Sequence, residues 1–216
     1  METIYTLFQY VTHIDAYLVS FVANYGAWTY IALFAIIFCE TGLVVTPFLP
    51  GDSLLFAAGS IAAQPDSGLS INLLFLLLCL ASILGNKLNY TIGRFVGPRV
   101  FSAKDSWLLN KQHLTDAHRF YEQHGGKTII FARFLPIIRT FAPFVAGIGA
   151  MSLRSFSIYN LFSGILWIGS LLGAGYYFGS LPIVKNNFSM VIYLIIAVSV
   201  LPALFTVVMR RKSVNS

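Results

Sequence analysis

The chain has 216 residues, 57% hydrophobic and only 10% charged, against about 25% charged in an average soluble protein. That composition excludes an ordinary soluble domain. The formal net charge of +6 does not indicate nucleic acid, because the basic residues lie between and beside apolar segments rather than in one soluble patch, and read instead as topology signals.

Residues 1–25 hold Glu2 and Asp15 but no Lys or Arg, so no cleavable signal peptide is expected and the N-terminus is expected to be retained. A helical stripe of Ile4, Leu7, Phe8, Val11, Ile14, Leu18, Phe21 and Val22 either crosses the bilayer or lies at its surface. Residues 28–63 then predict a re-entrant hairpin. The uncharged run Trp28–Cys39 is too short for a straight crossing, Glu40 ends it, and Pro47, Pro50 and Gly51 break the chain before Asp52 and a second short apolar run, Ser53–Ala63. "QPDSGLS" at 64–70 is a loop of turn formers.

Residues 71–93 can cross once, with Asn86, Lys87 and Asn89 near the end and Arg94 and Arg99 following. From Arg94 to Lys127 there are six Lys or Arg against three acids, whereas the loop at 64–70 has one acid and no base. The positive-inside rule therefore predicts a cytoplasmic 94–127 and an outer 64–70. Within the basic segment, Trp107, Leu108, Leu114, Ala117, Phe120 and Tyr121 recur at helical spacing, predicting an interfacial amphipathic helix over 104–125.

Residues 127–151 predict a second re-entrant hairpin. Arg133 and Arg139 stand in apolar surroundings, and Pro136, Pro143, Gly147 and Gly149 are expected to break the helix. Spans follow over 155–180 and 188–209, the last returning to Arg210, Arg211 and Lys212 at a cytoplasmic C-terminus. Cys39 and Cys79 both sit in apolar runs and read as small packed hydrophobes.

The two hairpins resemble one another. "FAAG" at 56–59 answers "FVAG" at 144–147, and the interval Glu40–Pro50 equals Arg133–Pro143; the two matches need different offsets, so an alignment requires a gap. With one hairpin entering from outside and the other from the cytoplasm, the expected fold is a single all-α polytopic membrane domain. It is an inverted repeat of two opposed re-entrant helical hairpins plus transmembrane helices, with the hairpin tips facing each other.

A charged residue at the bilayer centre costs at least ~2.5–3.5 kcal/mol, so Glu40, Asp52, Arg133 and Arg139 need a reason to be there. Mutual pairing is the simplest. Such pairs either lock the hairpins together or serve a ligand, and buried pairs are poorer sources of stability than apolar packing. The arginine fork suits phosphate, and carboxylates in low dielectric suit proton exchange. Arg133 and Arg139 are therefore the candidate substrate-binding residues and Glu40 and Asp52 the candidate proton-coupling residues.

His113, His118 and His124 lack the i, i+4 spacing of a helical metal site, and no metal or cofactor is expected. His13, near Asp15, reads as interfacial; Tyr25, Trp28 and Tyr30 read as an aromatic belt. No hydrolase, phosphate-loop or dinucleotide motif occurs in a suitable context. Asp52 as an intramembrane catalytic carboxylate would lack a nucleophile or metal cluster, so an enzyme is not expected.

At "FCETGLVVTPFLPGDSLLFAAG", "NYTIGR", "FYEQHGGKTIIFARFLPIIRTFAPFVAGIGAMS" and the tryptophan of "GILW", the chain resembles the DedA family of bacterial inner-membrane proteins over nearly its whole length. The resemblance implies a SNARE-associated, or VTT-type, domain with two opposed re-entrant helices. It also implies movement of lipids between leaflets, notably undecaprenyl phosphate, dependent on the proton motive force. The family's functional acids fall on Glu40 and Asp52 and its functional arginines on Arg133 and Arg139. One departure is that Gly85 is followed by Asn86 and Lys87 where relatives often have Gly-Asp. The expected partners are membrane lipids, an anionic lipid or polyprenyl phosphate substrate, and protons, with a homo-oligomer compatible. Two alternatives stand beside this reading: a proton-coupled small-cation or drug exchanger, and a non-transporting membrane-organising factor.

Overall fold

The computed structural model describes residues 25–43, 51–65, 67–102, 126–149 and 151–179, with scattered positions between 181 and 194. These residues form six helices and no strand: α1 (Trp28–Gly42), α2 (Gly51–Ala62), α3 (Ile71–Ser102), α4 (Lys127–Ala132), α5 (Pro136–Ile148) and α6 (Leu153–Phe178). The expected helices over 1–25 and 104–125 and the span over 188–209 lie outside the described residues, apart from Tyr25 and isolated positions of the last. Pro47, Pro50 and the four histidines lie outside them too.

Ile71–Val96 of α3 and Leu153–Phe178 of α6 are long and apolar enough to cross a membrane, with mean hydropathies of 1.9 and 1.4. Each has 26 residues, roughly 39 Å at 1.5 Å per residue. α3 outlasts the expected span over 71–93 and runs to Ser102, because Arg94 and Arg99 end an apolar stretch without ending a helix. Its faces are arranged for lipid. Leu73, Leu76, Leu80, Leu84 and Leu88 are exposed, while Ser82, Asn86 and Asn89, which share another face, are buried. Polar-inside, apolar-outside is the reverse of a soluble helix and is what hydrocarbon selects.

α1 and α2 have 15 and 12 residues, about 22 and 18 Å, each short of the ~30 Å hydrocarbon core. The second expected hairpin is likewise two pieces, α4 of 6 residues and α5 of 13. Their break lies at Arg133–Leu135 and has a local cause. Steric clash with a following proline ring disfavours helical backbone, and Leu135, ahead of Pro136, is extended at φ −116° and ψ 104°. Pro136 opens α5 at its first turn, where a missing amide costs little. Two expected breakers act otherwise: Pro143 and Gly147 lie inside α5. Pro143 removes one intrahelical hydrogen bond, to the Arg139 carbonyl, without ending the helix.

The described residues divide into two compact units. One takes those within Met1–Ile36, Leu49–Cys79 and Trp167–Ser216, the other those within Ile37–Phe48 and Leu80–Leu166. In the first, Leu54, Leu55, Phe56, Leu74, Trp167 and Leu172 are buried. In the second, Tyr90 stacks on Phe156 at 4.3 Å between ring centroids, with Ile129 and Ala146 beside them.

Each unit packs a short helix on a long one through a reciprocal pair of glycines. In the first, a Cβ on Gly59 of α2 would overlap the Leu172 carbonyl of α6, and one on Gly175 would overlap the Phe56 carbonyl. In the second, Gly147 of α5 meets the Tyr90 carbonyl of α3, and Gly93 meets the Phe144 carbonyl. The phenylalanine and glycine of "FAAG" and "FVAG" thus do the same job in each unit. Small residues of this kind let backbones approach where lipid supplies no hydrophobic drive.

Gly147→Ala and Gly59→Ala should therefore each lower the thermal midpoint of the detergent-solubilised protein by several degrees. Gly173→Ala, where nothing lies within 4 Å of the added Cβ, should leave it unchanged or raise it, since helical Gly costs roughly 0.5–1 kcal/mol relative to Ala. Thermal scans read by size-exclusion recovery compare the three.

Candidate functional site

The second unit buries two arginines and a glutamate. Glu40 is in the last turn of α1 and is fully buried; Arg139 is in the first turn of α5 and 4% exposed. Arg139 Nη2 donates to Glu40 Oε1, forming an ion pair across 99 residues of chain. The residue after each partner is tied to one amide: Asn89 Nδ2 of α3 donates to the Thr140 carbonyl at 2.7 Å and to the Thr41 carbonyl at 3.3 Å. Thr41 Oγ1 in turn donates to the Ile37 carbonyl at 2.8 Å. The backbones of α1 and α5 are thus held together immediately beside the charges they carry.

Arg133 sits in the α4–α5 break and is 2% exposed. Its Nη1 donates to Asn160 Oδ1 at 3.2 Å and Ser163 Oγ at 3.1 Å, both on α6. Asn160 Oδ1 also accepts from Asn86 Nδ2 at 2.9 Å, and Asn160 Nδ2 donates to the Ile83 carbonyl at 3.0 Å.

Asp52 belongs to the other unit. It lies half-buried in the first turn of α2, where a helix N-terminus favours negative charge. Its Oδ1 accepts from the indole Nε1–H of Trp167 at 2.9 Å. Trp167 itself is 1% exposed. Gly51 opens the same helix and is buried.

Of the four charged candidates, then, the second unit pairs Glu40 with Arg139 and hydrogen-bonds Arg133 to Asn160 and Ser163. Asn160 and Ser163 are not among the sequence candidates, and Asn86 and Asn89 stand there only as polar residues near the end of a span. Their signal was present all the same, as polar residues inside apolar spans. Spacing separates them from Lys87, which is exposed, because 86 and 89 share a helical face that 87 does not. Among the described residues no group of three His, Cys, Asp or Glu comes together; Cys39 is half-buried and Cys79 buried.

Two long apolar helices, each preceded in sequence by a pair of short ones, are the make-up of a helical membrane protein, and residues 49–177 match the VTT domain model. The chain belongs to the DedA family of membrane proteins. It is 49% identical over 213 residues to Protein DedA of Escherichia coli strain K12, covering 99% of this chain and 97% of that protein. It is 35% identical over 156 residues to inner membrane protein YqjA of the same strain, covering 71% and 69%. Inner membrane protein YghB of Salmonella typhimurium is 34% identical over 201 residues, 87% of each chain. No solved structure matches.

Removing one partner of a buried pair leaves the other charge uncompensated, at about 3–5 kcal/mol. Arg139→Met or Glu40→Met alone should therefore sharply reduce recovery of folded protein from the membrane. The double variant Glu40→Met with Arg139→Met should regain much of the loss, as measured by thermal midpoint.

Proposed function

We propose that this protein is an inner-membrane flippase for an anionic lipid, of the polyprenyl phosphate class, driven by the proton motive force and supporting envelope integrity. The buried Glu40–Arg139 pair carries the reading. Such a pair contributes less to stability than apolar side chains of similar volume, so its presence is better accounted for by exchange of partners. An anionic headgroup can take the place of Glu40 on Arg139, and a proton can neutralise the displaced carboxylate. Phosphate fits the guanidinium fork in a bidentate, charge-assisted geometry, and Arg133 supplies a second fork in the same unit. Asp52, hydrogen-bonded to Trp167, serves as the second proton-exchanging acid.

The halved helices and matching glycine pairs support an inverted repeat of re-entrant hairpins, an arrangement that transporters use to place a site near the midplane. Localisation to the inner membrane draws on the names of YqjA and YghB. The basic residues after the last apolar segment favour a cytoplasmic C-terminus.

Reconstitution into vesicles containing labelled undecaprenyl phosphate, with and without a pH gradient, tests the proposal. Wild type should move the lipid faster with the gradient; Arg139→Lys should lower the rate by an order of magnitude or more; Glu40→Gln should remove the gradient's effect. Flux of a small cation that needs Glu40 and Asp52 but tolerates loss of both arginines would replace this reading with an exchanger.

A further inference from the structure

We infer that the inner face of α3 holds internal water along Ser82, Asn86 and Asn89, and that this water carries a proton to Glu40; this rests on the proton-exchange role given to Glu40 above. Glu40 is fully buried, so a proton that neutralises it has to arrive through the interior of the unit. The three polar residues are 0%, 2% and 0% exposed. At 3.6 residues per turn they lie within about 60° of one another over a rise of roughly 10 Å.

Their oxygens are left over by the bonds the side chains make. Asn89 Nδ2 has two hydrogens and two acceptors, the Thr41 and Thr140 carbonyls, which turns Oδ1 away from both. Asn86 Nδ2 donates to Asn160 Oδ1, which fixes its amide in the same sense. Neither Oδ1 meets a donor among the described residues, and Ser82 Oγ has no hydrogen-bond partner among them. Flipping either amide would break the bonds its nitrogen makes. Burying an acceptor with no donor is costly, so three such oxygens on one helical face call for a donor that belongs to no side chain.

Water fits them in number and reach. Residues three or four apart on a helix have Cβ atoms about 5–6 Å apart, and two hydrogen bonds through one water span about 5.6 Å. One molecule can donate a hydrogen to each of Asn86 Oδ1 and Asn89 Oδ1. A second can accept from the Ser82 hydroxyl and donate to the first, and internal water commonly makes two to four such bonds. Asn89 sets the end of this line, because it bonds the carbonyl of Thr41, the residue after Glu40. The amides hold the water and carry no proton themselves. A hydronium entering the line passes a proton from oxygen to oxygen, the Ser82 hydroxyl taking one and releasing another. The Glu40 carboxylate ends as a carboxyl group and water is left behind.

The full-length protein tests this, in vesicles with labelled undecaprenyl phosphate and in nanodiscs. Ser82→Ala removes a hydroxyl that bonds no described residue, so it should assemble normally, yet it should cut the stimulation of transport by a pH gradient at least threefold. Ser82→Thr, which keeps the hydroxyl, should restore it. Water-selective NMR in nanodiscs should show magnetisation passing from internal water to the Asn86 and Asn89 side-chain amides, and less of it at Asn86 in Ser82→Ala. Full stimulation in Ser82→Ala, or no transfer from water to either amide in wild type, would overturn the water line while gradient-driven transport by wild type left the proton-coupled reading standing. Wild-type transport indifferent to the gradient would overturn that reading and the water line with it.

Discussion

Glu40 and Arg139 meet where neither has water to fall back on, and much of the second unit follows from keeping them together. A guanidinium and a carboxylate buried to this degree each carry a desolvation penalty of several kcal/mol, which only close and well-oriented pairing offsets. Two features meet that demand. Asn89 fixes the backbone beside each partner by bonding Thr41 and Thr140 with one amide nitrogen. The extended Leu135 before Pro136 restarts the helix so that Arg139 falls in a first turn.

Close packing without a hydrophobic drive is the second constraint. Both units answer it with glycine against a carbonyl, and in each the short helix contributes a glycine and a phenylalanine carbonyl three residues apart. The interval on the long helix is also shared, Leu172 to Gly175 and Tyr90 to Gly93. The tetrapeptides "FAAG" and "FVAG" therefore match because they meet one geometric demand twice. That gives the offset aligning the two glycine motifs a packing basis.

Asparagine has a particular use in this setting. It offers an acceptor oxygen and an NH2 with two donor hydrogens without net charge, so it can link an arginine to a backbone carbonyl, as Asn160 does, or bridge two carbonyls, as Asn89 does. Asn86 and Asn89 lie on one face of α3, and Asn160 faces them from α6 within the same unit. Asn86, Asn160 and Ser163 make a buried polar network around Arg133 in which donors and acceptors constrain each other's orientation.

Much is legible in the sequence. Composition and run length alone mark a membrane chain and locate α3 and α6. The cost of burying charge marks Glu40, Asp52, Arg133 and Arg139 as residues that need partners, and Glu40, Arg133 and Arg139 are indeed buried. Where a helix breaks was only partly legible: Leu135–Pro136 breaks the chain through local sterics, but Pro143 and Gly147 lie within α5, since one lost hydrogen bond does not end a helix held by its neighbours. Which charge meets which partner was not legible at all. Glu40 joins Arg139, Arg133 joins Asn160 and Ser163, and Asp52 joins Trp167 across 115 residues. Pairings over such separations depend on how helices stack, and stacking is set by close backbone approach and amide orientation, neither of which leaves a periodic trace in the chain.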